Sequence, residues 1–78
     1  MKKFAIIASV GSYKMKNGRR EISCSVESKE FVLDSDDRME LLDKMPKGFE
    51  YRDNGKWYSY TIEKRTDARR ELKRYGKL

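Results

Sequence analysis

Histidine is absent from this 78-residue chain, and cysteine and proline occur once each, as Cys24 and Pro46. Without histidine there is no Ser-His or Cys-His nucleophilic pair. Without a second cysteine there is no disulfide framework and no zinc site of the usual Cys/His spacing. A lone cysteine on an alternating segment is expected to be a small buried hydrophobe, and its lack of a partner suits a reducing cytoplasm, the expected location. No run approaches the roughly 18 apolar residues of a membrane span, so no membrane association is expected. The opening "MKKFAIIASVGSYKMK" imitates a secretory signal, but its apolar run is short, no small-residue cleavage site follows, and Lys14 and Lys16 arrive at once. The same residues make a good strand.

The composition, 37% hydrophobic and 12% aromatic, argues for a folded chain despite 41% charged residues, because disordered chains lack these aromatics. A chain this short buries only about 60% of its unfolded surface, so residues 1–78 are expected to form one domain.

From Lys3 to Val26 the pattern has period two, with Phe4, Ile6, Ala8 and Val10 in phase before "KNG" and Ile22, Cys24 and Val26 after it. A two-residue Asn17-Gly18 loop would pair Ile22 with Tyr13 and put the two apolar sets on opposite faces. A three-residue loop with Gly18 in a bulge pairs Cys24 with Val10 and unites them, and is the expected register. In "FEYRDNGKWYSYTI" the preference reverses. A two-residue Asn54-Gly55 turn pairs Phe49 with Tyr60 and Tyr51 with Tyr58, which makes Tyr51, Tyr58 and Tyr60 core residues and turns Trp57 to the other side.

Between the hairpins, "DSDDRMELLDKMPKG" reads as a short helix capped by Asp34 or Ser35, with Met39, Leu42 and Met45 as its apolar row and Pro46 and Gly48 at its end. The last segment, "TDARRELKRYGKL", reads as a helix capped by Thr66, docked by Ala68, Leu72 and Tyr75 and stopped by Gly76. Residues 27–33, "ESKEFVL", extend the second strand or form a separate one. The expectation is a single α+β domain of order ββαββα, with two antiparallel β-hairpins, about four strands, and both helices packed on one face.

Charge is segregated along the chain. Residues 1–26 carry a net +5, residues 27–43 a net −5 and residues 44–78 a net +6. At about 100° per residue, Arg69, Arg70, Lys73, Arg74 and Lys77 fall in one arc of the last helix, opposite its docking residues. The first hairpin tip adds Lys14, Lys16, Arg19 and Arg20. Such a face is a solvated surface or the footprint of a polyanion, and the scarcity of compensating acids favours the polyanion. With no helix-turn-helix, zinc-finger, basic-zipper, KH or RRM signature, RNA is preferred over sequence-specific DNA. Trp57 is either the cover of a second small cluster or a stacking or partner-binding anchor. The acidic segment from Glu27 to Asp43 suits a helix start and solvent; its spacing does not match a Ca²⁺ loop, and no metal or cofactor is expected.

The functional expectation is a noncatalytic RNA-binding accessory protein. The alternative is an inhibitor or adaptor that neutralises a host protein, such as a nuclease, toxin or defence enzyme, alone or together with RNA. In size, lack of catalytic groups and Lys/Glu-rich composition the chain resembles small accessory proteins of bacteriophages, although no motif residues carry that resemblance. An enzyme would need carboxylates such as Asp34 and Asp53 working with Tyr or Lys. A free sheet edge would allow a dimer as well as a monomer.

Overall fold

The spine of the fold is β1 (Phe4–Lys16), the longest strand in a computed structural model that describes residues 2–23, 25–45 and 48–76. It is followed by β2 (Arg19–Ile22), β3 (Ser28–Ser35), α1 (Arg38–Lys44), β4 (Phe49–Arg52), β5 (Lys56–Lys64) and α2 (Arg65–Arg74). The α+β class, the two hairpins and the two helices are as the sequence implies. Most of residues 27–33 belong to the separate strand β3, so the antiparallel sheet has five strands. Ser9 faces Lys29 of β3 on one side and Ser59 of β5 on the other, and β4 pairs outside β5. Beyond Val10, β2 takes the place of β3 beside β1.

The two hairpin registers are the reverse of those expected. Lys16 pairs with Arg19 and Tyr13 with Ile22 across a two-residue Asn17-Gly18 loop, in which both residues have positive φ, 51° and 76°, as a type I′ turn requires. A three-residue loop presupposes an unbroken strand through Val26. Instead the ladder leaves β2 at Ile22 and resumes at Ser28 in a new register. In the second hairpin Tyr51 pairs with Trp57 and Phe49 with Ser59 across a three-residue loop. There the Gly55 amide donates to the Arg52 carbonyl at 3.2 Å and Gly55 has a φ of 77°, the arrangement of a type I turn closed by a left-handed glycine. Tyr51 and Phe49 therefore share a face with Trp57, not with Tyr58 and Tyr60.

The helices pack on opposite faces of the sheet, not on one. Leu41 of α1 lies in a core with Ile6, Ala8, Val10, Tyr58 and Tyr60, while Ala68 and Leu72 of α2 lie with Ala5 and Ile7; successive residues of a strand point to opposite faces. Residues Ala5 to Ile7 are 0% exposed because β1 is covered on both sides, and a strand so covered reads as a continuous apolar run.

Asp37, not Asp34 or Ser35, caps α1, accepting from the Met39 amide at 2.9 Å. Ser35 supports the cap: its hydroxyl accepts from the Asp37 amide and donates to Glu40, each at 3.0 Å. Of the row Met39, Leu42, Met45 only Met45 packs against the core; Met39 and Leu42 are exposed and Leu41 is buried. α2 starts directly from β5, with Lys64 rather than Thr66 at the cap position, because the Arg65 amide donates to the Lys3 carbonyl at 2.8 Å and ties the turn to β1. Tyr75 and Gly76 close it, Gly76 at a φ of 73°. Cys24 and Pro46 lie outside the described residues.

Candidate nucleic-acid interface

α2 runs over the sheet from the level of Lys3, where its first amide is held, to the level of Ser9, where Glu71 reaches Lys29 at 3.2 Å. That ion pair turns the helix's second acid inward. Glu71 also faces Glu63 of β5, whose carboxyl is pushed up to about 7, first by burial and then by the Glu71 carboxylate. Glu71 itself is lowered, by its hydrogen bond with Glu63 and by Lys29. With Glu71 used in this way, Arg69, Arg70, Lys73 and Arg74 are left exposed, and among the described residues none of the four has a carboxylate within 4.0 Å. Lys77 lies outside the described residues.

The hairpin tip is not adjacent to this helix. Seven residues of β1 separate the Ser9 level from Lys16, about 23 Å at roughly 3.3 Å per residue. The tip is also divided between the two faces. Strand alternation and the pairs Tyr13–Ile22 and Met15–Arg20 put Arg20 on the α2 face, and Lys14, Lys16 and Arg19 on the other. Lys16 is 3.9 Å from Glu21, whereas Lys14, Arg19 and Arg20 form no ion pair among the described residues. What lies between Arg20 and the last turn of α2 is aromatic.

Trp57 is at the base of this aromatic surface. It is 7% exposed, so it covers a second cluster and is not itself a free stacking residue. Its ring lies across Gly11, where a Cβ would fall under 3.0 Å from Trp57 Cε2, Cζ2 and Nε1. Phe49, 43% exposed, stacks on Trp57 with centroids 5.5 Å apart and planes 16° from parallel. Tyr51 meets Phe49 and Tyr13 edge to face, each at 5.1 Å. The Tyr13 hydroxyl donates to the Arg52 carbonyl at 2.7 Å. The Arg20 guanidinium lies 4.4 Å over the Tyr51 ring and 6.0 Å over Tyr13.

Sequence reasoning makes Tyr51 a core residue beside Tyr58, which the pairing of Tyr51 with Trp57 corrects, and it names neither Phe49 nor Tyr13 as a site residue. The signal was present in the alternative loop length of the second hairpin, which moves Phe49 and Tyr51 to the side of Trp57, and in Gly11, the one strand position small enough to seat an indole.

On the opposite face, Tyr58 and Tyr60 are buried as expected. The Tyr60 hydroxyl donates to Glu50, and Arg52 donates to Glu50 at 2.9 and 3.0 Å and stacks 3.8 Å over Tyr58. Asp34 and Asp53 are not brought together: Asp34 pairs with Arg65 at 3.5 Å beside Ala5, and Asp53 sits in the β4–β5 turn. No helix is long and apolar enough to cross a membrane, and no group of three or more acidic or Cys side chains could hold a metal, among the described residues. The chain matches no protein-family model, no curated protein and no solved structure.

Proposed function

We propose that this is a noncatalytic RNA-binding protein that holds the phosphate backbone with Arg69, Arg70, Lys73 and Arg74 of α2 and with Arg20 of the first hairpin. The observation that carries the reading is the excess of exposed cations on α2: Glu63, Asp67 and Glu71 border Arg70 and Arg74, but among the described residues none of the four cations has a carboxylate within 4.0 Å, and they repel one another unless a counter-charge arrives. Lys14, Lys16 and Arg19 at the ribbon tip extend the positive surface to the adjoining face.

The test is a mobility-shift titration of RNA at several salt concentrations with the wild type and with Arg69→Glu/Lys73→Glu. The expected affinity falls by about one power of salt concentration per phosphate neutralised, and the double variant loses most binding and flattens the slope. Binding that ignores both salt and the double substitution contradicts the proposal.

A second reading, a protein inhibitor of a host nuclease, toxin or defence enzyme, draws on the exposed Met39 and Leu42 of α1, which lie away from the cationic face. A pull-down with and without nuclease treatment separates the two, since partners held through RNA are lost on treatment.

A further inference from the structure

We infer that the ligand is single-stranded RNA whose unpaired bases stack on Phe49 and Tyr51, between Arg20 and the last turn of α2. This rests on the RNA-binding reading above and names the form of RNA and the residues that meet its bases.

The surface has the three properties such a platform needs. It is accessible, because Phe49 is 43% exposed on a strand of the sheet, and a chain of 78 residues has few aromatics to leave outside a core. It is rigid, because each ring is held from behind. Gly11 admits the indole of Trp57, Trp57 backs Phe49, and Tyr51 is held between Phe49 and Tyr13. Aromatic faces fixed in this way offer stacking area with little side-chain entropy left to lose.

It also has the right charge. On the α2 face, the strand residues in the rows from Ser9 to Met15 are Ser9, Lys29, Ser59, Phe49, Gly11, Trp57, Tyr51, Tyr13, Ile22, Met15 and Arg20. No carboxylate is among them. The Arg20 guanidinium already lies 4.4 Å over the Tyr51 ring, so a positive charge is held beside the place where a base would enter, and guanidinium planes stack on bases as readily as rings do. An acid-free aromatic surface flanked by cations at both ends fits a flexible polyanion with apolar flat groups.

The form of the RNA follows from the same geometry. In a duplex the base faces are consumed by their neighbours and only edges and backbone are offered, whereas unpaired bases can be splayed onto a ring. The rows from Ser9 to Met15 span about 20 Å, room for on the order of two or three stacked bases as on other sheet platforms.

The test compares a single-stranded oligonucleotide, a ten-residue oligouridine, with an RNA duplex of equal length, reading Trp57 emission and mobility shift. The wild type is expected to bind the single strand more tightly and to change its Trp57 emission on doing so. Phe49→Ala and Phe49→Leu are expected to weaken single-strand binding roughly 5- to 100-fold, the loss of about one stacked base, with the salt slope unchanged; Phe49→Tyr retains binding. Thermal melts of the three variants establish that each is folded. Salt-dependent RNA binding that is equal for duplex and single strand, or is untouched by Phe49→Leu, overturns the inference and leaves the RNA-binding reading standing. No RNA binding by the wild type at low salt overturns both.

Discussion

Replacing Gly11 with alanine is expected to destabilise the protein, although alanine ordinarily suits a strand better than glycine. The backbone at Gly11 is ordinary extended chain, so the substitution by itself gains about 0.5–1 kcal/mol from the lower entropy of the unfolded state. The new methyl, however, falls under 3.0 Å from three atoms of the Trp57 ring. The ring would have to withdraw by about 1.5 Å to reach contact distance, and Phe49, stacked on the same indole, would have to shift with it. Overpacking of this kind costs typically 1–3 kcal/mol. An overlap this deep belongs in the upper part of that range, so the net loss is about 1–2 kcal/mol, which lowers Tm by roughly 5–15 °C in a domain of this size. Trp57 is the only tryptophan, so its emission reports the site without interference and should shift to the red as the ring is levered toward water. A Gly11→Ala protein with wild-type Tm and wild-type emission would refute the account of Gly11 as the seat of the indole.

Glu63 provides a test in pH. Its folded-state value of about 7 lies above the ordinary 4.5, so the unfolded chain releases this proton first and stability falls as pH rises from about 4.5 to 7, then levels off. Discounted for partial exposure, the loss is about 1–2 kcal/mol. Denaturant melts of Glu63→Gln should lack this decline, and a decline that persists unchanged assigns it elsewhere. Because the chain has no histidine, few other groups titrate in this window. Leu41→Ala should cost about 2–4 kcal/mol and Leu42→Ala less than about 1 kcal/mol in urea unfolding, because Leu41 is 0% and Leu42 38% exposed; equal losses would contradict the orientation of α1. At the first hairpin, Gly18→Ala should lose about 1 kcal/mol in the same assay through its positive φ alone, since open space surrounds the position.

Several features were legible in the residues because local chemistry governs them. The two Asn-Gly sequences mark both turns, the acidic stretch before Arg38 marks a helix start, and Ala68 and Leu72 mark the docked side of the last helix. The registers were not legible, because each hairpin could be closed with two or three loop residues and apolar phase alone favours the wrong one in both. Apolar phase misleads between β2 and β3, whose registers against β1 differ, and at Trp57, which finds a face of its own. The opposite placement of the two helices, by contrast, was already implied. "AIIA" in β1 is a continuous apolar run, the mark of a strand covered on both sides.

By itself the sequence determined the α+β class, the positions of turns and helices, and the clustering of positive charge on one side of α2, because these depend on residues within a few positions of one another. Only the tertiary structure decided that Phe49, Tyr51 and Tyr13 share an open face with Arg20, and that Trp57 lies beneath them on Gly11. It also decided that Glu71 is drawn inward by Lys29 while its basic neighbours stay exposed. These contacts join residues as far apart in the chain as Gly11 and Trp57. They are settled by strand pairing, where a shift of one residue moves every side chain to the other face.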